Sequence, residues 1–320
     1  MIEVLRAPAY ATVQDAGRER FRSSGVPRGG AMDMLSLVSG NAVVGNDPRA
    51  AAIEWALTGG SLRFEQDTIF ALTGAAVEAR IGDAPAPHGR ALRAASGDVL
   101  RIDAITGGRF LYVCFRGGIR VPEVLGGRGT YLPGSFGGLG GRRLLTGDSF
   151  ALGGEPDTPA VEGALPIELS SLAASGPIGI MQGPQAEMLS LEEWSALAEL
   201  ELNVSPQSDR TGYRLTGLER TRATAAIGRS EPSCTGAVQL TPGGELIVLM
   251  ADGPTVGGYP KIGVVAAGHL PRLAQTPVGG KVKFRLIEAV EAVTLLATQR
   301  SALERLGGEA RASPNSSKNP

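Results

Sequence analysis

Leu246-Ile247-Val248-Leu249-Met250-Ala251 runs straight into Asp252-Gly253-Pro254-Thr255-Val256-Gly257-Gly258-Tyr259-Pro260-Lys261. The apolar run is strand-length, and the segment after it is a turn built of glycine, proline and charge. The same alternation recurs on either side. Ser208-Asp209-Arg210-Thr211-Gly212-Tyr213-Arg214-Leu215 is followed by Ser230-Glu231-Pro232, and the N-terminal half carries Gln14-Asp15-Ala16-Gly17-Arg18, Gly25-Val26-Pro27 and Ala31-Met32-Asp33. Charged and hydroxyl residues interrupt strand-like runs where a purely structural barrel needs only turns. One polar set in each half predicts a site assembled from strand ends and loops.

The rest of the chain reads as mainly β. Strands are expected at 2–6, 9–13, 51–57, 61–64, 68–73, 76–81, 98–103 and 109–116, with no helix–strand alternation of the doubly wound kind. Asp33 is placed to cap a short helix through Met34, Leu35, Leu37, Val38, Asn41 and Ala42, which Gly45 stops. Residues 126–148 are too rich in glycine to be helical. The second half opens with a strand at 177–182. Ser190 and Glu193 form a capping box ahead of a helical face of Leu191, Trp194 and Leu197. Strands resume at 200–205, 213–215, 225–228, 236–240, 245–251, 261–266 and 281–288, and a helix is expected over 291–306. The predicted division is 1–165, 166–306 and a disordered tail, 307–320.

Composition narrows the function. Of 320 residues, 42% are hydrophobic and 20% charged, and the formal net charge of -1 favours neither nucleic acid nor an anionic membrane. No apolar run approaches the roughly 18 residues that span a bilayer, and the N-terminus lacks the pattern of a signal peptide, which points to a cytoplasmic location. Glycine, at 46 residues, is aperiodic and fits many sharp turns. Cys114 and Cys234 read as buried thiols, and with His88 and His269 they make no recognisable zinc pattern.

Several residues carry chemistry beside a plainer reading. Gly137-Gly138-Leu139-Gly140-Gly141-Arg142 lacks the lysine–hydroxyl ending of a phosphate loop; it either supplies backbone donors to a shared site or only turns. Lys261, in a glycine–proline turn, suits a carboxylate, phosphate or developing oxyanion, or is simply solvated. Tyr259 offers a hydroxyl or a stacking face. Arg210 is either an anion clamp or half of an Asp–Arg pair holding a loop, and Gln14, Asp15 and Arg18 invite the same alternatives. Glu54 is either a polar residue on a strand face or a buried partner for an arginine.

Taken in order, Thr12–Arg18, Gly25–Asp33, Gly45-Asn46, Gly183-Pro184-Gln185, Ser208–Arg210, Gly212–Leu215, Ser230–Pro232, Gly236–Gln239 and Thr255–Lys261 resemble the 5-oxoprolinase C-subunit family. This family is also called allophanate hydrolase subunit 2, KipA-like or carboxyltransferase A/B. The resemblance covers roughly residues 3–290. It departs at Gly40, at Asp252–Thr255 and at Thr211. It implies two tandem cyclophilin-like β-barrel domains with short helices. It also implies pairing with a 5-oxoprolinase B-subunit-like protein and, in the oxoprolinase system, with an A-subunit protein as well. The activity it implies is ATP-dependent opening of 5-oxo-L-proline to L-glutamate, with ATP and Mg²⁺ acting in the assembled complex and no tightly bound cofactor. The alternatives are the carboxyltransferase component of a biotin-dependent urea or amide carboxylase, and a non-enzymatic KipA-like regulator. Under the first reading Arg210, Tyr213 and Lys261 are the catalytic candidates. Gln14, Asp15, Arg18, Asp33, Asp209, Arg214, Gly257, Gly258 and Tyr259 are the substrate-binding ones.

Overall fold

A computed structural model of the chain describes residues 1–161, 165, 176–218 and 228–312. The strand expected at 225–228 falls almost wholly outside these residues, and the tail beyond 312 does so entirely. The chain divides into two compact units. One comprises Met1–Gly17, Asp33–Leu172 and Gln299–Pro320; the other comprises Arg18–Met32 and Ala173–Thr298. This departs from a single cut near 165, because residues 18–32 go with the second half. The Gly29 N–H donates to the Ala251 carbonyl at 3.0 Å, and the Arg18 N–H donates to the Arg28 carbonyl at 2.7 Å.

The first unit is a barrel-like antiparallel sheet of β1 (Ile2–Arg6), β2 (Tyr10–Gln14), β3 (Ala52–Ala56), β4 (Gly60–Phe64), β5 (Thr68–Ile81), β6 (Ala84–Pro85), β7 (Ala91–Ala94), β8 (Val99–Phe115), β9 (Ile119–Arg120) and β10 (Ser149–Leu152). Four of the expected strands merge into two long ones, β5 and β8. Gly74 and Gly108, both at positive φ, lie within a continuous ladder whose register shifts between Gly74 and Ala76, so glycines that read as turns sit at or beside bulges. Along β8, Leu100 and Ile102 are buried while Arg101 and Asp103 are exposed; from Phe110 to Phe115 every residue is buried. Both faces of that last stretch are therefore covered. Phe64, Phe70, Phe115 and Phe150 meet in the core at centroid distances of 5.1 to 6.3 Å.

Helix α1 (Met34–Val43) lies against β5 and β8 and starts on the predicted cap. Gly40 does not break it. A Cβ there would stand 2.6 Å from Cys114 Sγ and 2.7 Å from Thr73 Oγ1, so glycine is what lets the helix lie down on the sheet. Burial pushes the Cys114 thiol up to about 12. Cys234, by contrast with its expected burial, is exposed.

The second unit carries β11 (Ile178–Gln182), β12 (Leu202–Val204), β13 (Gly212–Thr216), β14 (Glu231–Pro232), β15 (Ala237–Leu240), β16 (Leu246–Leu249), β17 (Val256–Gly257), β18 (Lys261–Val265), β19 (Lys281–Val282) and β20 (Phe284–Leu286). Eight of these make a second barrel-like sheet, in the order β19-β12-β13-β16-β15-β18-β11-β20, and β14 and β17 pair as a separate ribbon. All neighbours are antiparallel except β11 and β20. Helix α2 (Leu191–Glu199) has the expected Ser190–Glu193 capping box. Trp194 and Leu197 are buried, but Leu191 is 86% exposed and leaves the predicted face. Helix α3 (Leu270–Gln275) follows a turn at His269. Helix α4 (Ala289–Ala312) is longer than the one expected over 291–306, and residues 307–312, expected to open a disordered tail, are helical. Among the described residues no helix is long and apolar enough to cross a membrane.

Candidate functional site

The candidates of the first unit act on their own scaffold. Gln14 closes β2 and donates from Nε2 to Thr12 Oγ1 and to the Thr130 carbonyl, both at 3.0 Å. The carbonyl can only accept, which fixes the orientation of the amide. Asp15 accepts the Gly17 N–H at 2.8 Å on one oxygen and the Arg128 N–H at 2.5 Å on the other. Together they pin the glycine-rich loop to the strand end, where a Cβ on Gly129 would lie 2.8 Å from Gln14 Oε1.

Asp33 caps α1. Its carboxylate accepts from the Ser36 backbone at 2.9 Å and the Ser36 hydroxyl at 2.5 Å, and its own N–H donates to Tyr112 Oη at 2.8 Å. Tyr112 in turn donates to Glu54 at 2.7 Å, so Glu54 is a buried residue with a tyrosine among its partners. Burial first, and then the charges of Glu54 and Asp33, push the Tyr112 phenol well above its usual range.

The expected cluster at 209–214 comes apart into separate structural roles. Arg210 donates from Nε and Nη2 to Asp252 at 2.8 and 2.9 Å, and from Nη2 to the Gly30 carbonyl at 2.6 Å. The Asp–Arg pair therefore exists, but with Asp252 rather than the adjacent Asp209. Arg18 packs beside it: a Cβ on Gly29 would sit 3.2 Å from Arg18 Nη1 and 3.6 Å from Asp252 Oδ1. Asp209 accepts the N–H groups of Thr211 and Gly212 at 2.7 and 3.2 Å, as an Asx turn does. Arg214 pairs with Glu245 at 2.7 Å. Tyr213, the third catalytic candidate, takes up a structural contact. It is fully buried, and its hydroxyl donates to the Ala274 carbonyl at 2.7 Å.

A different set of groups converges at Lys261. Its ammonium contacts Glu231 Oε2 at 2.9 Å, with the lysine side chain 9% exposed and the glutamate 48%. Gln185 ties the two together, accepting the Lys261 N–H at 2.9 Å and donating to Glu231 at 3.3 Å. The Lys261 hydrogen bond, then its charge, holds the Glu231 carboxyl below the usual carboxylate range, and Gln185 adds to the effect.

The ladders bring two more residues to this place. β15 and β18 put Gln239 opposite Lys261, and the ribbon puts Glu231 opposite Gly257. A Cβ on Gly257 would lie 2.8 Å from Gln239 Nε2 and 3.5 Å from Ser233 Oγ. Both of these buried polar atoms lack a hydrogen-bond partner among the described residues. Arg22 donates to the Ser233 carbonyl. Gly258 accepts the Gly228 N–H at 2.9 Å, and Tyr259 packs its ring on Ala237, Ile247 and Leu249. Of the predicted site, Gly257, Tyr259 and Lys261 are thus joined by Gln185, Glu231, Ser233 and Gln239, none of which is among the individual site candidates read from the sequence. An ammonium, an amide N–H and a hydroxyl in a largely buried setting suit a polarised carbonyl or carboxylate oxygen.

In the glycine block two backbone donors are already used within the loop. The Gly138 and Gly141 N–H groups donate to the Arg128 and Gly137 carbonyls of their own loop, both at 2.7 Å. Among the described residues no group of three or more His, Cys, Asp or Glu side chains gathers to hold a metal. The clefts beside His88 and beside Arg93 in the first unit contain none of the candidate residues.

Known proteins share this architecture. The carboxyltransferase domain family, subdomain A and B, matches residues 24–286. The chain is similar to the 5-oxoprolinase C subunit of Escherichia coli (strain K12), at 36% identity over 307 residues covering 96% of this chain and 97% of the relative. It is also similar to the 5-oxoprolinase C subunit of Haemophilus influenzae, at 34% identity, covering 92% and 94%. Among solved structures, K. lactis urea amidolyase matches with a TM-score of 0.87 at 30% identity, over 95% of this chain and 20% of that one.

Proposed function

The chain belongs to the carboxyltransferase domain family, subdomain A and B, and we propose from this that it is the C subunit of a cytoplasmic 5-oxoprolinase. The reaction is the ATP-dependent opening of the 5-oxo-L-proline lactam to L-glutamate, with ADP and phosphate released. The observation that carries this reading is similarity over nearly the whole length of both chains to two bacterial proteins of that name.

Within the complex, the second unit holds the amide being opened. Lys261 releases Glu231 and turns its ammonium to the substrate oxygen as negative charge builds there, while Gln239 and Ser233 orient the amide. A donor aimed at such an oxygen is worth about 10²–10³ in rate, because it meets charge that develops only in the transition state. ATP and its Mg²⁺ act in the assembled complex with proteins resembling the B and A subunits of the enzyme.

Carboxyl transfer to urea or a related amide is a second reading, supported by the fold match to urea amidolyase, of which the chain covers 20%. Glutamate release separates the two. The purified chain, mixed with its B-subunit and A-subunit proteins, is expected to form glutamate from 5-oxoproline only when ATP is present. An assembled, folded mixture that forms none, yet carboxylates urea from carboxybiotin, overturns the first reading.

A further inference from the structure

Gln239 is a carboxamide in an otherwise apolar strand, 4% exposed, with its Nε2 lacking a partner among the described residues. Ser233, 7% exposed, leaves Oγ in the same condition beside the same glycine. A buried polar atom without a partner is destabilising, so a fold that keeps two uncommitted ones around a single glycine loses stability unless something occupies them. Gly257 supports this view. Any side chain there would strike Gln239 Nε2 at 2.8 Å, so the glycine leaves the amide face clear.

We propose that Gln239 and Ser233 form a recognition slot for the cis edge of an amide. A carboxamide shows an N–H and a C=O side by side. A lactam is locked cis by its ring and shows the same two groups side by side, so the two edges pair through two antiparallel hydrogen bonds. Ser233 Oγ donates a third bond to the ligand oxygen. An open-chain secondary amide is overwhelmingly trans and turns its N–H and C=O to opposite edges, so the slot rejects peptides and trans amides. The ligand enters under the β14–β17 ribbon. That element has only two residues per strand; Glu231, Pro232 and Val256 are all exposed, and its Glu231 link to Lys261 reaches solvent. The choice of a lactam as the natural ligand rests on the oxoprolinase reading. The slot itself does not, because urea and primary amides present the same edge.

The test follows the side-chain NH₂ pair of Gln239 in ¹⁵N-labelled full-length chain, assigned by its absence in Gln239→Glu. Titration with 2-pyrrolidinone is expected to move this pair saturably. N-methyl-2-pyrrolidinone, which has no N–H, and N-methylacetamide, which is trans, are expected to leave it in place. Ser233→Ala is expected to weaken the 2-pyrrolidinone effect about 5-fold, the worth of one neutral hydrogen bond. A pair that ignores 2-pyrrolidinone, or that follows the N-methyl compound equally, overturns the slot. Movement with 2-pyrrolidinone in a chain whose complex makes no glutamate keeps the slot and rejects only the oxoprolinase reading.

Discussion

The two units bury polar groups on similar sheets and use them differently. In the first, the buried groups answer one another: Asp33 holds Ser36, Tyr112 bridges Asp33 to Glu54, and Asp15 with Gln14 pins the glycine loop. In the second, an ion pair stands half in solvent, and beside it a carboxamide and a hydroxyl have no partner among the described residues. A buried polar network that closes on itself rigidifies a fold, whereas one left open marks the place where a ligand completes it. In the first unit Gln14 Oε1 also lacks a partner among the described residues, but that amide already uses its nitrogen twice. This contrast is what supports placing the substrate in the second unit under the proposed function.

Mutations sharpen the contrast. The largest effect is expected from Arg210→Ala, which strands the Asp252 carboxylate, 4% exposed, without its bidentate partner. Breaking such a pair from one side costs about 3–5 kcal/mol, so urea denaturation is expected to show the second unit unfolding first. A small stability change with a large loss of turnover would return Arg210 to the catalytic group. Lys261→Ala comes next. Turnover by the assembled complex is expected to fall about 100-fold while the complex still assembles, since the partner it abandons is half-exposed. Normal turnover would remove Lys261 from the chemistry. Asp33→Ala, in the first unit, is expected to cost about 1–2 kcal/mol in denaturant melts through loss of the helix cap.

The smallest effect is a pH dependence. His269 accepts the Gly179 N–H on Nδ1 at 2.8 Å, and burial, then the charges of Arg272 and Arg285, lower its pKa below the ordinary 6.5. The unfolded chain therefore takes up the proton first. The stabilisation from neutral His269 is complete above pH 6.5 and is lost as pH falls through that value towards the lowered one. His269→Gln is expected to flatten this limb of a melting-temperature profile; an unchanged limb would assign it to other groups.

Much of the fold was legible because its signals are local. The Asp33 cap, the Ser190–Glu193 box and the strand at 246–249 each depend on neighbours within a few positions. The breaks expected between 73 and 76 and between 103 and 109 are absent for the same reason, since whether a glycine such as Gly74 turns a strand or bulges it depends on the opposite strand. The site was legible only in part. Lys261 and Gly257 stood out in a glycine–proline turn, but Glu231 lies 30 positions from Lys261 and Asp252 lies 42 from Arg210. Asp209, adjacent to Arg210, looked like its partner and is not. Gln239, among Ala237, Val238 and Leu240, reads as an ordinary strand residue until the ladder sets it opposite Lys261. Nothing local reveals that residues 18–32 belong with the second unit.

The most direct test of the division of labour is a crystal structure of the chain soaked with 5-oxo-L-proline. Density for the lactam is expected within hydrogen-bonding distance of Gln239, Ser233 and Lys261. Lactam density bound instead beside Gln14 and Asp15, with Gln239 and Ser233 still unpartnered, would contradict it.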